Sequence, residues 1–311
     1  MNTIISPDIE KASEVLKTGG VIIFPTETVY GIGTDSRNIS ACQKIYTIKN
    51  RPIDNPFIVH VDSIESMGQI AIIPEKYLDP ISRLTPGPIT FILEKKDESV
   101  FSSGLSTLGV RIPSHPVANA LLAKSKIPVS APSANISGRP SITRLKDAVE
   151  IFSGKVDLIL EGEDSEIGIE STVVDLTSAS PVLLRPGRIS FLELKIYFPS
   201  IRKYKPVPKE EILKPASPGM KYRHYAPECE VIILDRNKFV QGEGNAYIGF
   251  RQIEGASFQK NVKTNLEYMH FLYSFFIDCD SKKIKKAYCE APLQDEFEEV
   301  LLNRIEKAAM K

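Results

Sequence analysis

The sequence predicts a mixed α/β protein: a body over 1–198, a basic proline-rich connector over 199–228 and a smaller α/β domain over 229–311. Three observations predict it. Helix-period and strand-like runs intermix through the first two-thirds without the strict βαβ rhythm of a parallel sheet. From Pro199 the composition changes, and prolines and lysines crowd a stretch that no helix or strand can occupy throughout. Beyond Cys229 the apolar strand pattern starts again.

Ser6-Pro7 reads as a helix start, with Ser6 as cap and Pro7 at the first helical position. Ile9, Ala12 and Leu16 form the apolar stripe of that helix, and Gly19-Gly20 ends it. Val21 to Phe24 is a short buried strand closed by Pro25. Gly31-Ile32-Gly33 runs into Thr34-Asp35-Ser36, which breaks the dinucleotide fingerprint, so the glycines read as a turn. Gly242-Glu243-Gly244 reads the same way. A helix over Ala41 to Ile48 leads into Lys49-Asn50-Arg51. Phe57 to Val61 and Ile89 to Leu93 are strands, Val117 to Lys124 is a helix, and Val129 begins another strand. Val173 to Asp175 and Val182 to Leu184 supply later strands before the body ends near Phe198.

Pro199 to Pro227 of the connector carries seven basic residues (Arg202, Lys203, Lys205, Lys209, Lys214, Lys221, Arg223) against Glu210 and Glu211. It reads as an ordered linker rather than a flexible tether. In the last unit, Val231 to Leu234 and Ala246 to Phe250 are core strands. Leu266 to Phe276 and Phe297 to Ala309 are helices, the second with Val300, Leu301, Ile305 and Ala308 on one face.

Formal net charge is zero, which gives the whole molecule no electrostatic reason to coat nucleic acid or membrane. Nothing near Met1 reads as a secretory signal, and no apolar run is long enough for a bilayer. Cys42, Cys229, Cys279 and Cys289 are too far apart for Cys-x-x-Cys chemistry, so they read as reduced, buried thiols and the expected location is cytoplasmic.

Chemistry concentrates in polar blocks beside strand-like runs: Pro25 to Gly31, Lys49 to Pro52, Gly109 to Pro113, Ser130 to Asn135, and Gly168 to Thr172. A single lysine or arginine is most often solvated surface. Lys49, Arg51, Arg111 and Arg185 gain weight as a set because prolines 52, 113 and 186 fix the backbone after three of them. Guanidinium groups grip carboxylate or phosphate oxygens two at a time, and lysine supplies a point charge. The small residues of Ser130 to Gly138 let a ligand approach the backbone, although such a loop alone is ordinary. His60 alternates within an apolar strand, where a histidine is usually a satisfied core residue. Glu27, Asp54 and Asp175 form no metal-ligand motif. Lys221 to Pro227 reads as a solvated turn or as a mobile flap over a nucleotide.

These blocks, in this order and continued by Ser217 to Pro227, resemble the YrdC-like threonylcarbamoyl-AMP synthase family in its long, two-domain form. The resemblance implies a twisted open mixed sheet with helices and a large positive cavity, joined through the linker to a Rossmann-like C-terminal domain. It implies condensation of L-threonine, bicarbonate and ATP to threonylcarbamoyl-AMP and pyrophosphate, an adenylyl transfer to N-carboxy-threonine. Downstream threonylcarbamoyl-transferase proteins would pass the group to tRNA, so the chain itself need not hold tRNA. Matched residue by residue, Thr28, His60, Arg111, Ala131 (through its backbone) and Ser171 are implied threonine contacts. Lys49, Arg51, Asn55, Thr107, Ser133, Ser141, Arg185 and Tyr225 are implied ATP contacts, with Lys49 and Arg51 closest to the phosphate chemistry. No enzyme nucleophile is needed, and Mg²⁺ is expected to ride on the phosphates.

Two rivals remain at this level. A double-stranded RNA-binding or ribosome-assembly module would use the basic linker, but residues 1–198 hold 20 Lys/Arg against 23 Asp/Glu. Carbamoyl transfer to a protein thiol, as in related hydrogenase-maturation enzymes, would call for zinc-finger and acylphosphatase segments that this sequence does not show.

Overall fold

A computed structural model describes residues 2–204, 225–235 and 244–310. The first part of the chain forms β1 (Ile4–Ser6), α1 (Ile9–Lys17), β2 (Ile22–Phe24), β3 (Gly31–Asp35), α2 (Ile39–Lys49) and β4 (Ile58–His60). Then come α3 (Ile64–Ile70), β5 (Ala71–Ile72), α4 (Leu78–Leu84), β6 (Ile89–Lys95), β7 (Thr107–Arg111), α5 (Pro116–Ser125) and β8 (Val129–Ser130). The body continues through α6 (Leu145–Phe152), β9 (Leu158–Leu160), β10 (Thr172–Asp175), β11 (Val182–Arg185), α7 (Phe191–Tyr197) and β12 (Arg202–Lys203). The second unit holds β13 (Glu230–Leu234), β14 (Ala246–Gly249), β15 (Phe258–Asn261), α8 (Asn265–Ser281), β16 (Lys286–Glu290) and α9 (Glu298–Ala309).

The body is one mixed sheet in the order β1-β9-β2-β3-β8-β4-β7-β6-β10-β11-β12, with β5 paired to β6. Parallel pairs such as β4–β7 alternate with antiparallel pairs such as β6–β7, as the irregular rhythm of the sequence predicts. The C-terminal unit is a separate sheet ordered β13-β16-β14-β15, parallel throughout. Such a sheet needs crossover connections, and α8 provides the one from β15 to β16. Among the described residues no helix is long and apolar enough to cross a membrane. All four cysteines are buried and unbridged.

Alternation along the central strands separates two environments. Val59, Phe91, Leu93 and Val110 face a core shared with Met67, Tyr77 and Ile81. The residues between them face the opposite side, where the site lies. A second apolar cluster crosses the domain boundary: Val29 and Ile169 of the body pack with Tyr268, Met269, Leu272 and Phe276 of α8.

Two local expectations change. Ser6 does not cap a helix; it pairs with Leu160 at the end of β1, and Asp8 is the cap, accepting from Lys11 N at 3.1 Å. Asp8 has extended backbone (φ −76, ψ 103) immediately before the first helical residue Ile9, so its carboxylate takes the capping position. Gly31-Ile32-Gly33 is no turn but the start of the buried strand β3. Glycine is required there by crowding, since a Cβ on Gly33 would lie 2.8 Å from both Phe24 and Val129. The stretch read as linker contributes β12 to the edge of the large sheet, where Arg202 pairs with Val182. Residues 205–224, including the flap residues 221–224, lie outside the described residues, as do Gly242 and Glu243.

Candidate functional site

Ile58 and His60 point to the same face of β4, and the parallel neighbour β7 places Arg111 opposite His60. Gly31 bridges to Ser133, which draws the chain after β8 across this face. Arg185, at the end of β11, pairs with Val173 and so lies beside the 170–171 turn leading into β10. The result is one cavity lined by Thr28, Arg51, His60, Arg111, Ala131, Ser133, Ser171 and Arg185, together with Thr26 and Glu170.

Arg111 is held on three sides. Its Nη2 lies 2.7 Å from Glu27 Oε1, Nη1 donates to Thr28 Oγ1 at 2.7 Å, and Nε donates to Gly87 O at 3.3 Å. Burial, the largest single influence, would raise the Glu27 carboxyl, but the Arg111 charge and the hydrogen bonds from Arg111 and the backbone together hold Glu27 below its ordinary value. Thr28 Oγ1 also shares a hydrogen bond with Thr26 Oγ1 at 2.9 Å. Across the cavity, Ser171 Oγ shares one with Thr90 Oγ1 at 2.8 Å, while Arg185 donates to Ser171 O at 3.0 Å and Oγ at 3.2 Å.

His60 is buried with its Nδ1 unpartnered, and its ring meets Phe24 edge-on at 6.0 Å. Burial, then the Arg111 charge, pushes the imidazole down to about 3, so it is neutral at physiological pH. An unfolded chain binds a proton here below its ordinary value of 6.5, whereas the folded chain resists until about 3. Stability is therefore expected to fall as pH drops through that window, with a slope approaching about 1.4 kcal/mol per pH unit from this group. His115, also lowered by burial, adds in the same direction. His60→Gln should thus show a smaller drop in urea midpoint between pH 7 and pH 5 than the wild type. An equal drop would mean His60 is not kept neutral by the fold.

Arg51 reaches the cavity because α2 ends on Asn50 in the left-handed region (φ 50), which turns the next residue away from the helix. Its guanidinium donates to Asn55 O (3.2 Å) and Pro56 O (3.0 Å), and burial first of all lowers it to about 10. Lys49 is placed differently. Its ammonium is fully buried behind the cavity wall, 2.5 Å from Ser133 O, 2.6 Å from Asn135 O and 3.0 Å from Asn135 Oδ1. Burial, and then the Arg51 charge, push it well below the ordinary lysine value, while three oxygen acceptors pull the other way.

The remaining sequence-selected residues support the cavity or lie off it. Asn55 backs Arg51 through its carbonyl, which also accepts from Tyr46 at 3.1 Å. Ser141 stands one layer behind, donating to Glu170 Oε1 at 2.7 Å. Tyr225 is stacked on Tyr273 with centroids 5.2 Å apart, and burial raises its hydroxyl to about 12. Ala131 commits its amide to Ile58 O at 2.8 Å. Thr107 sits at the opposite end of β7 from Arg111, four residues and on the order of 13 Å away.

Glu170, Tyr273 and Arg304 were missed as functional candidates. Glu170 lay in plain view inside the 168–172 block, but its partners Tyr273 and Arg304 lie more than a hundred residues downstream and carry no local signal. Among the described residues no cluster of three His, Cys, Asp or Glu could hold a metal. Around the cavity, Lys49, Arg51, Arg111, Arg185 and Arg304 are buried, with Glu27 and Glu170 as the buried carboxylates. Such an excess of desolvated cations is costly unless anions complete it.

The family model described as "Telomere recombination" matches residues 14–187, and that described as "Threonylcarbamoyl-AMP synthase, C-terminal domain" matches 193–310. The threonylcarbamoyl-AMP synthase of Pyrococcus abyssi is 42% identical over 230 residues, covering 73% of this chain and 68% of that protein. That of Bacillus subtilis is 40% identical over 233 residues, covering 74% and 67%. The solved structure of P. abyssi Sua5 complexed with L-threonine superposes with a TM-score of 0.90 at 32% identity, covering 99% of this chain and 97% of that one. Family models, sequence identity and fold superposition agree, and the chain belongs to the threonylcarbamoyl-AMP synthase family in its two-domain form.

Proposed function

We propose that the chain is an L-threonylcarbamoyladenylate synthase, which condenses L-threonine, bicarbonate and ATP to threonylcarbamoyl-AMP and pyrophosphate. The observation that carries this reading is the excess of buried guanidinium and ammonium groups around one cavity. A triphosphate and an amino-acid carboxylate are the anions that would complete it. The likeness to a structure complexed with L-threonine supports the amino acid.

Arg111, fixed by Glu27 and Thr28, would take the threonine carboxylate, and neutral His60 would meet its polar groups through the open Nδ1. Arg51, Ser133 and Arg185 would hold the nucleotide, with Lys49, Asn55 and Ser141 supporting the walls. The threonine amine condenses with bicarbonate, releasing water, to give a carbamate, whose oxygen attacks the α-phosphorus as pyrophosphate leaves. This is nucleotidyl transfer without an enzyme nucleophile; alignment and charge neutralisation do the catalysis. Glu170 is engaged by Ser141 and Tyr273, and Glu27 by Arg111, so Mg²⁺ would enter on the phosphate oxygens of ATP. The adenylate would pass to threonylcarbamoyl-transferase proteins acting on tRNA. The unbridged cysteines support a reducing, cytoplasmic setting.

Pyrophosphate release from ATP, measured with threonine and bicarbonate omitted in turn, tests the reading. Release is expected only with both present. Release that ignores threonine would make the chain a simple ATPase and overturn the assignment.

A further inference from the structure

We propose that Tyr273 and Arg304, both from the C-terminal domain, are positioning residues for the nucleotide side of the cavity, acting through Glu170. The proposal rests on the functional reading above and extends it to a domain whose contribution that reading leaves open.

The geometry is specific. Glu170 lines the cavity, and its two oxygens take different partners. Oε1 accepts from Ser141 Oγ at 2.7 Å; Oε2 accepts from Tyr273 OH at 2.9 Å and from Arg304 Nε at 3.3 Å. Arg304 is fully buried, and its Nη2 also donates to Pro186 O at 2.9 Å. One guanidinium thus grips residue 170, immediately before Ser171, and residue 186, immediately after Arg185. Ser171 and Arg185 are themselves joined at 3.0 Å, so Arg304 straps both flanks of that pair. Its Cζ lies 5.7 Å from the centroid of the Tyr225 ring, which stacks on Tyr273. A buried guanidinium is expensive unless fully matched, and here a carboxylate, a carbonyl and an aromatic face match it.

The same contacts set the charge of Glu170. Burial alone would raise its carboxyl; Arg304 first and Arg185 second reverse this and hold it below its ordinary value. Without Arg304 the largest of the lowering influences is gone, and the carboxyl protonates at higher pH. An uncharged Glu170 would release Arg185 from part of its electrostatic restraint.

Binding to the full-length chain separates this role from general support. Titrations with a non-hydrolysable ATP analogue and, separately, L-threonine would be run on the wild type, Tyr273→Phe, Arg304→Met and Arg304→Lys. Tyr273→Phe keeps the ring stack and removes one hydroxyl, so it should fold; its Kd for the analogue should rise about three- to tenfold, and that for threonine, which meets this network only through Ser171, by clearly less. Arg304→Met should weaken the analogue more than tenfold and move the acid limb of its binding to higher pH. Arg304→Lys, which keeps the charge, should return that limb towards the wild type. Equal weakening for both ligands, weakening for neither, or an unmoved acid limb in Arg304→Met would overturn the proposal. Should Arg304→Met not fold, the Kd split in Tyr273→Phe decides alone. The pyrophosphate assay on the wild type judges the functional reading separately, because these titrations need no turnover.

Discussion

Arg111→Met is expected to remove threonine binding and to cost about 3–5 kcal/mol of stability, because it strands the Glu27 carboxylate in a buried site. Glu27 is 5% exposed and has the Arg111 guanidinium at 2.7 Å as its counter-charge. Methionine fills much of the volume and supplies none of the charge. The two losses can be told apart. In Glu27→Gln/Arg111→Met the orphaned charge is gone, so most of the stability should return while threonine affinity stays lost. Urea midpoints and calorimetric threonine titrations on the two single variants and the double variant check this. An Arg111→Met protein that binds threonine like the wild type would remove Arg111 from the amino-acid site.

The second large effect is expected at Lys49. Lys49→Met leaves the backbone carbonyls of Ser133 and Asn135 short of a donor in a buried position, while the Asn135 amide oxygen keeps its bond from Ser133 Oγ at 2.7 Å. Each buried unsatisfied acceptor costs about 1–3 kcal/mol, and relaxation recovers part of it, so a net loss of about 2 kcal/mol or more is expected. ATP binding should weaken as well, because Ser133 lines the cavity and loses its backing. Lys49→Arg should not rescue: the pocket around the ammonium is closed, and a planar guanidinium cannot meet three oxygens converging on a point. A Lys49→Met protein with an unchanged urea midpoint and a weakened ATP affinity would instead make the ammonium a direct phosphate ligand, against the position seen here.

Much of this was legible in the sequence, for physical reasons that can be named. The mixed sheet showed in strand-like runs such as Ile89 to Leu93 and Val173 to Asp175, which need only local apolar patterning. The resemblance of the polar blocks pointed to the family, and the structure gathers residues from those blocks on one cavity. Gly31-Ile32-Gly33 misled because glycine's usual meaning is a turn, and the crowding by Phe24 and Val129 that demands it comes from elsewhere in the chain. Lys49 shows a different limit. Residue type marks a cation, but only the fold tells whether it faces ligand or protein carbonyls. The Glu170–Tyr273–Arg304 network joins positions separated by 103 and 134 residues, a pairing without any periodic trace.

Gly168, two residues before Glu170, has φ +83 and lies so close to α8 that a Cβ there would come within 2.5 Å of the His270 backbone. Its neighbour Ile169 is buried in the apolar cluster that spans the two domains. The helix therefore rests directly on the strip of chain that delivers Glu170 and Ser171, with no side chain as a cushion. Any rocking of the smaller lobe must tug on that strip, much as a lever moves whatever is pinned beside its fulcrum.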